Sequence, residues 1–372
     1  MQFNVVTKTE IIMLNQEATN NPLKRCTKCV MPSTWAGITF DENGICSLCK
    51  AYDDAQKIDW NKRQKQLKRI FRNYKDYARA NGVKYEAIVG YSGGKDSVYT
   101  LWAAVRKYGL RVLVVTFDHG FHLTPEGDWN LSQIPKILDC DHIRFAIGNG
   151  LRNALCRKGT EVVGDFCVHC HQGVGTLAAR ISKSWNIPLQ IWGEPTSLYS
   201  TTGTYKMSDM EEQDKKHFGD TFASGTTPET ILPDRYELLD LQPLTWPEGT
   251  FPLRALYLGN YDGMWNQEEH VKIIKRELDW RDYPKQETWQ SWDKNDCPLE
   301  LVREAQKKLR RGFGKASFAA SKEIREGKIT REQSMELVNL YENKKLIGLD
   351  EMCREMGFSS FEELSKLTNR QI

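Results

Sequence analysis

The sequence has no long apolar run and almost no net charge. No segment of its 372 residues approaches the apolar length that spans a membrane, and the first 20 residues hold no apolar core of a signal peptide. A net charge of +3 is small for this length, which argues against a strongly basic protein that covers nucleic acid. We therefore expect a cytoplasmic protein, and the length predicts two or three domains.

The chain also lacks the common nucleotide-binding loop, whose pattern is GxxxxGK[ST]. A different loop of small residues stands at residues 91–97, with the sequence Tyr-Ser-Gly-Gly-Lys-Asp-Ser. The apolar residues 87–89 before it predict a buried strand, and residues 97–107 after it predict a helix. This layout turns a helix N-terminus into an anion site, because backbone N–H groups point at the ligand. A glycine turn without a ligand is the alternative.

Each residue type in this loop has a use beside phosphate groups. The two glycines let the backbone approach phosphate oxygens, the two serines add hydroxyl donors, and Lys95 adds a positive charge. Asp96 would repel phosphate unless it helps to hold Mg²⁺ or to orient the loop, so its presence favours a magnesium site. The motif at residues 92–97 resembles the pyrophosphate loop of the PP-loop ATP pyrophosphatases, which cut ATP between the α and β phosphates.

Ten cysteines are present, and six of them form three CxxC pairs. The first two pairs, Cys26/Cys29 and Cys46/Cys49, are separated by sixteen residues that contain a hairpin signal, Asn-Gly at 43–44. Two such pairs supply four thiolates in tetrahedral geometry, so we predict a zinc ribbon. A closed four-thiolate site has no open position, which makes the zinc structural. Four reduced structural cysteines are the alternative.

The third pair, Cys167 and Cys170, precedes a predicted helix within the α/β region. Three interpretations stay open. The pair holds a second metal or an iron–sulfur cluster, with a third ligand from Cys140, Cys156 or Cys297. It is a redox or sulfur-carrying pair, since a helix N-terminus lowers the pKa of a thiol. Or it is structural and has no chemistry.

From residue 84 onward, strands alternate with helices. Residues 111–118, 143–147 and 188–192 predict further buried strands, and residues 131–138 predict a helix between the first two of these. The alternation predicts an α/β fold with a doubly wound parallel sheet. Ligands bind at the carboxyl ends of such strands. Asp118 and His119 follow one strand and are candidates for contacts with ATP, whereas Glu194 follows another and is a candidate for metal or substrate. Strand-end turns without a ligand are the alternative for each of them.

The other segments complete a four-part division of the chain. A basic amphipathic helix is predicted within residues 51–83, with a solvated face or a phosphate contact as its alternatives. Residues 196–250 predict substrate-facing loops in which Tyr199, Tyr205 and Lys206 are ligand candidates. The predicted division is an extension and zinc ribbon (1–50), a helical linker (51–83), a PP-loop ATP pyrophosphatase domain (84–250) and a C-terminal helical region (251–372).

Several segments together resemble one family, and they lie at residues 26–32, 40–46, 90–97, 191–194, 258–261 and 328–332. In order and spacing they are similar to the N-acetyl sugar amidotransferases of the WbpG and PseA type, which act in bacterial lipopolysaccharide, O-antigen and pseudaminic acid pathways. The resemblance implies that ATP adenylates the acetamido oxygen of a sugar, which we expect to be nucleotide-linked. Ammonia then replaces that oxygen and gives an acetamidino sugar, AMP and pyrophosphate.

The resemblance also implies site residues, cofactors and partners. It implies ATP, Mg²⁺ and Zn²⁺ as cofactors, and ammonia from a separate glutaminase with a cyclase-like subunit, similar to HisH and HisF. Lys95, Asp96 and Glu194 are the expected catalytic residues. The expected ATP-binding residues are Tyr91, Ser92, Gly93, Gly94, Lys95, Asp96, Ser97, Asp118 and His119. The alternative function is tRNA thiolation with an iron–sulfur cluster at Cys167 and Cys170, although the mild net charge argues against a large tRNA footprint.

Overall fold

A computed structural model describes residues 23–35, 37–195, 210–223, 225–249 and 251–369. The predicted extension at residues 1–22 and the ligand candidates Tyr199, Tyr205 and Lys206 lie outside these ranges. Among the described helices, none combines the length and the apolarity that crossing a membrane would need.

A six-stranded sheet forms the centre of the molecule, with the spatial order β3-β2-β1-β4-β6-β5. Five strands run parallel and β5 is an antiparallel edge strand. The chain order reverses between β1 and β4, and the crevice at such a reversal is where ligands bind in open α/β sheets. The predicted α/β fold is confirmed. The strands are β1 (Ala87–Gly90), β2 (Val112–Asp118), β3 (His142–Ala146), β4 (Leu189–Trp192), β5 (Glu211–Glu212) and β6 (Arg254–Tyr257).

Both faces of the sheet are covered by helices, which explains the nearly continuous apolar strands. Val89 and Val114 face a core with α2, α3, α4 and α9, whereas Ile88 and Leu113 face one with α5, α6 and α8. The helices are α1 (Ser47–Ala55), α2 (Trp60–Ala80), α3 (Lys95–Trp102), α4 (Pro125–Ile137), α5 (Asn149–Val163), α6 (Val168–Ser184), α7 (Lys215–Thr221), α8 (Pro228–Ile231), α9 (Gln267–Leu278), α10 (Glu300–Arg311), α11 (Lys315–Arg325), α12 (Arg331–Glu342), α13 (Leu349–Glu355) and α14 (Phe361–Asn369). A π-helical turn, Ala103–Lys107, continues α3.

The structure differs from the sequence prediction in three places. The segment 251–372, expected to be helical, begins with β6, which pairs with β4 and extends the sheet. The helix α4 begins six residues before the predicted start at 131, because Thr124 caps it and Pro125 occupies its first turn. The helix α3 begins at Lys95 rather than Ser97, because Gly94 already serves as its N-cap.

The N-terminal ribbon packs on the C-terminal helices. Its cysteine cluster contacts Phe318 and Ile324 of α11. The ring of Trp35 stacks on Phe318 with 5.3 Å between centroids, and the Arg25 guanidinium donates to Ser317 Oγ at 2.7 Å. The ribbon and helix α11 therefore share one core.

Candidate active site

The loop after β1 is tightly packed against later parts of the chain. Gly93 has a φ of +81°, and a Cβ there would lie 3.0 Å from the backbone nitrogen of Leu131. A Cβ on Gly94 would lie 2.9 Å from Cγ of Asp296. Both glycines are therefore needed by the packing of the protein itself, in addition to any approach of phosphate.

The serine hydroxyls of the loop hydrogen-bond within it. Ser92 Oγ and Ser97 Oγ are 3.2 Å apart, and Ser97 Oγ donates to the carbonyl oxygen of Gly94 at 3.0 Å. The side chain of Tyr91 points into the core, where its hydroxyl donates to the carbonyl oxygen of Asn130 at 2.6 Å. A contact of Tyr91 with ATP would therefore come from its backbone.

Lys95 lies in the first turn of α3 and is only 5% exposed. Its Nζ is 2.8 Å from Oδ2 of Asp96 and 3.1 Å from Oδ1 of Asp293. Burial opposes the charge, but the carboxylates of Asp96 and Asp293 hold the pKa of Lys95 well above its usual value. The loop thus presents a permanently charged ammonium group in a nearly closed environment.

The carboxylate of Asp96 receives two further donors from the segment after β6. Trp265 Nε1 donates to Oδ1 at 3.2 Å, and Gln267 Nε2 lies 3.1 and 3.2 Å from the two oxygens. The amide oxygen of Gln267 in turn accepts from Lys322. Burial would raise the pKa of Asp96, but Lys95 and these surroundings lower it, so the carboxylate is ionised.

Glu194 stands beside Asp96 because the end of β4 packs on α3. A Cβ on Gly193 would lie 2.5 Å from Oγ1 of Thr100 and 3.1 Å from the carbonyl oxygen of Asp96. Glu194 keeps an exposed surface toward the cleft. Even so, desolvation by the dense surroundings and the negative charge of Asp96 raise its pKa to about 8. The carboxyls of Glu194 and Asp96 therefore differ in protonation at neutral pH.

Asp293 links Lys95 to the C-terminal helices. Its other oxygen lies 3.2 Å from Nζ of Lys315, which also pairs with Glu300 at 2.6 Å. Burial opposes the ionised state of Glu300, but Lys315 and the cations near it lower its pKa to about 2. A buried chain of alternating charges thus runs from the loop into α10 and α11.

Asp118 and His119 lie at the end of β2 and engage other groups of the protein. The carboxylate of Asp118 accepts from Arg144 at 2.7 Å and from the backbone nitrogen of Gly120 at 2.9 Å. Burial would raise the pKa of Asp118, but these two donors lower it. Nε2 of His119 is 3.2 Å from the carbonyl oxygen of Asp296. The structure therefore brings Lys95, Asp96 and Glu194 into contact, whereas Asp118 is occupied by Arg144.

A cleft of about 310 Å³ adjoins this group. Lys95, Glu194 and Asp293 line one part of it, and Trp35 of the ribbon also belongs to its lining. Most of its other walls come from α10 and α11. The ribbon, the loop and the C-terminal helices therefore enclose one polar cavity.

The four cysteines of the ribbon form a buried cluster in which the sulfur atoms all lie within 4.8 Å of one another. The Sγ distances are 4.0 Å for Cys26–Cys49 and 3.7 Å for Cys29–Cys46. Zn–S bonds of about 2.3 Å in a tetrahedron place the sulfurs about 3.8 Å apart. The donor set and the spacing therefore fit a closed four-thiolate metal site.

Cys167 and Cys170 lie at the start of α6, and Cys297 is close enough to both for their charges to interact. Burial raises the pKa of Cys170 to about 11 and that of Cys297 to about 12. The predicted lowering by the helix N-terminus is thus outweighed by desolvation, which disfavours a reactive thiolate pair. Within the described residues, the ribbon cysteines are the one group with the spacing of a mononuclear metal site.

Sequence reasoning missed the residues that reach the loop from far along the chain. Asp293 and Lys315 have no recognisable motif, and Trp265 and Gln267 lie in a stretch from which only a helix was predicted. Trp280 was not predicted as a site residue either, although its Nε1 donates to the carbonyl oxygen of Gly93 at 2.9 Å. Their roles depend on the tertiary fold, because a single sequence does not show which distant residues meet.

Comparison with known proteins assigns the C-terminal part of the chain. Residues 286–371 match the family model described as LPS biosynthesis protein WbpG-like, C-terminal domain. This range includes Asp293, Glu300 and Lys315. No curated protein matches the chain.

Proposed function

We propose that the chain, whose residues 286–371 match the WbpG-like C-terminal domain of lipopolysaccharide biosynthesis proteins, is an ATP-dependent amidotransferase acting on an N-acetyl sugar. The reaction would convert the acetamido group into an acetamidino group in bacterial surface-glycan synthesis. We propose a cytoplasmic location, since the proposed reaction would consume ATP.

The chemistry has to overcome the low reactivity of an amide. Resonance with nitrogen makes the acetamido carbon a poor electrophile, and its oxygen is a poor leaving group. Transfer of AMP from ATP to that oxygen forms an O–P bond, breaks the α–β phosphate bond and releases pyrophosphate. Ammonia then adds to the activated carbon, and the former amide oxygen leaves as part of AMP. After proton loss the product is the amidine.

The residues of the site have matching roles in this proposal. Lys95 and the backbone N–H groups at the start of α3 would stabilise the charge of the leaving pyrophosphate. Asp96, together with Glu194 once the ion displaces its proton, would hold Mg²⁺, and the ion would neutralise phosphate charge when bound. Positioning dominates such a reaction, so no protein nucleophile is required.

One observation carries the proposal. Lys95, Asp96 and Glu194 meet at the reversal of the strand order, and Asp293 from the matched family domain contacts Lys95 at 3.1 Å. The crevice beside such a reversal is the place where open α/β sheets bind ligands. A pyrophosphate loop in contact with the WbpG-like domain supports ATP-dependent chemistry on the substrate of that domain.

Ammonia would come from other subunits. On the resemblance to amidotransferases that receive ammonia from a glutaminase and a cyclase-like subunit, we propose that a separate glutaminase with a cyclase-like partner supplies it. We further propose that the ribbon holds zinc in a structural role, since four thiolates leave no open position for a reacting group.

The test is an AMP-release assay with the full chain, ammonium salts, and a panel of UDP-linked and CMP-linked acetamido sugars together with bulk tRNA. We expect AMP and pyrophosphate with at least one acetamido sugar, and a matching mass change of the sugar. AMP release with tRNA alone, together with acid-labile sulfide in the protein, would replace the proposal by sulfur transfer at Cys167 and Cys170. No turnover of any acetamido sugar by folded, ATP-binding protein would contradict the amidine reaction.

A further inference from the structure

The cleft next to Lys95 carries more positive than negative side chains. Eight Lys and Arg side chains line it, against five Asp and Glu side chains. Five of the cations have a carboxylate oxygen within 4.0 Å, and these are Lys95, Arg303, Lys307, Lys315 and Lys322. The remaining three cations therefore give the cleft its excess of positive charge.

These three cations are Lys294, Arg310 and Arg311. Among the described residues, no carboxylate lies within ion-pair distance of any of them, although NH1 of Arg310 donates to the carbonyl oxygen of Gly164 at 3.2 Å. Burial lowers the pKa of Arg310 and of Arg311. A desolvated cation without an ion-pair partner costs free energy, and an anion bound beside Arg310 and Arg311 would offset that cost. Lys294 is exposed, and the negative charge of Asp296 raises its pKa.

Lys294 adds an independent sign of function. Its backbone φ is 51°, in the left-handed region that a lysine seldom adopts. It stands between Asp293, which contacts Lys95, and Asp296, which packs on Gly94. Strained backbone of this kind persists where the surrounding structure fixes it, and it clusters at ligand sites.

Arg311 also meets the ribbon. Its guanidinium lies 5.9 Å from the ring centroid of Trp35, and its carbonyl oxygen accepts from Oγ1 of Thr34 at 2.6 Å. A planar aromatic ring beside an arginine fork suits a ligand that has both a flat or ring-shaped part and an anionic group. Such a ligand would bind in the cleft that Lys95 also lines.

We propose that Arg310, Arg311 and Lys294 form a subsite for an anionic group of the acceptor sugar, with Trp35 as its wall. The chemistry is that of a phosphate or a carboxylate, because arginine binds either one in a bidentate manner. The subsite holds the acceptor by its charged end and leaves the acetamido group to face Lys95. This inference rests on the proposed amidotransferase function for the identity of the ligand.

The experiment compares binding of four probes to the full chain by calorimetry in the presence of a non-hydrolysable ATP analogue. The probes are N-acetylglucosamine, its 1-phosphate, UDP-N-acetylglucosamine and N-acetylneuraminic acid. We expect at least one charged probe to bind and the neutral sugar to bind at least tenfold more weakly. The phosphate and carboxylate arms identify which anion the subsite takes.

Variants then locate the binding. Arg310→Gln with Arg311→Gln should weaken the charged probe about tenfold or more, the loss expected for a charge-assisted hydrogen bond. Its affinity for the ATP analogue should not change. The single variant Arg311→Lys, which keeps a positive charge, should bind the charged probe more tightly than the double variant does. Lys308→Gln is the matched control, because it lies on the same helix and does not line the cleft.

Each outcome decides the matter. Equal affinity of the wild type and the double variant for the charged probe, with both proteins folded by circular dichroism, would overturn the subsite. So would an equal loss of ATP-analogue binding, which would assign the arginines to the nucleotide, and so would an absence of binding by all three charged probes. Charged probes that bind through the arginines but never yield AMP would contradict the proposed reaction and leave the subsite standing.

Discussion

Lys95 is held by two carboxylates, that of its sequence neighbour Asp96 and that of Asp293, which lies 198 positions further along the chain. The same arrangement limits the damage when the lysine is removed. Asp96 keeps its donors Trp265 and Gln267, and Asp293 keeps Lys315. Neither carboxylate is left buried without a partner, so the fold should tolerate the change.

We therefore expect Lys95→Ala to lose AMP formation by a factor of about 100 or more while the protein remains folded, because the charge on the leaving pyrophosphate loses its cation. Pyrophosphate release and circular dichroism measure the two parts. Undiminished pyrophosphate release by the variant would remove Lys95 from the site.

Glu194 gives the stability of the protein a recognisable pH dependence. Its pKa in the folded protein is raised to about 8 from an ordinary value of 4.5. The folded state thus binds more protons than the unfolded state between these values, and stability falls as the pH rises through this window. Glu194→Gln should remove that decline. The melting temperature of the variant relative to that of the wild type should be higher at pH 9 than at pH 5. The same difference in melting temperature at both pH values would contradict the raised pKa.

Glu300 makes the stability of the protein depend on pH in the opposite direction. Its pKa is lowered from 4.5 to about 2, since burial is outweighed by Lys315 and neighbouring cations. Its contribution is present above pH 4.5 and is lost as the pH falls toward 2. Glu300→Gln should lower the free energy of unfolding by about 3 kcal/mol at pH 7, and the difference from the wild type should shrink below pH 4.5. Urea unfolding of both proteins at pH 7 and pH 3.5 measures it.

At the scale of elements, local signals were sufficient wherever one segment determines its own structure. The strand and loop around residue 90 followed from an apolar run that stops at small residues. Helix α9 begins after the cap Asn266, and α12 has the capping box of Thr330 and Gln333. Such caps act over three residues, so the sequence alone displays them.

The missed elements depend on partners elsewhere. Strand β6 has four residues and no distinctive period, and it becomes a strand because β4 offers it an edge. The contact between Asp293 and Lys95 joins residues 198 positions apart. Neither could be inferred from local propensity, because the free energy that fixes them comes from tertiary packing.

The junction of β4 with α3 offers a test of element packing. Gly193→Ala would place a methyl group 2.5 Å from Oγ1 of Thr100. We expect a loss of about 1–3 kcal/mol in the free energy of unfolding and reduced AMP formation, because Glu194 would shift away from Asp96. Gly148→Ala is the control, since a Cβ there meets nothing within 4 Å and its φ is −61°. Equal behaviour of the two variants would show that the junction is loose.

At the scale of the whole molecule, the stability of the C-terminal helices depends on the ribbon that packs on them. The cysteine cluster contacts Phe318 and Ile324, and Trp35 contacts both Phe318 and the cleft. Loss of the metal should therefore weaken more than the ribbon itself. Structural zinc sites contribute directly to the free energy of folding.

We expect elemental analysis to find one zinc per chain. Cys46→Ser should abolish it and lower the melting temperature, together with AMP formation, because the wall of the cleft loses its support. Cys140→Ser is the control, since this residue lies outside the cluster. A metal-free protein with unchanged melting and activity would show that the four cysteines are only packing.

The ion pair between Lys95 and Asp293 also has a consequence for synthesis on the ribosome. The loop emerges almost two hundred residues before Asp293, and Lys315 follows later still. A nascent chain released before that point has Lys95 paired only with Asp96, and it lacks α10 and α11, which line the cleft. We therefore expect that such an unfinished chain does not form the cleft.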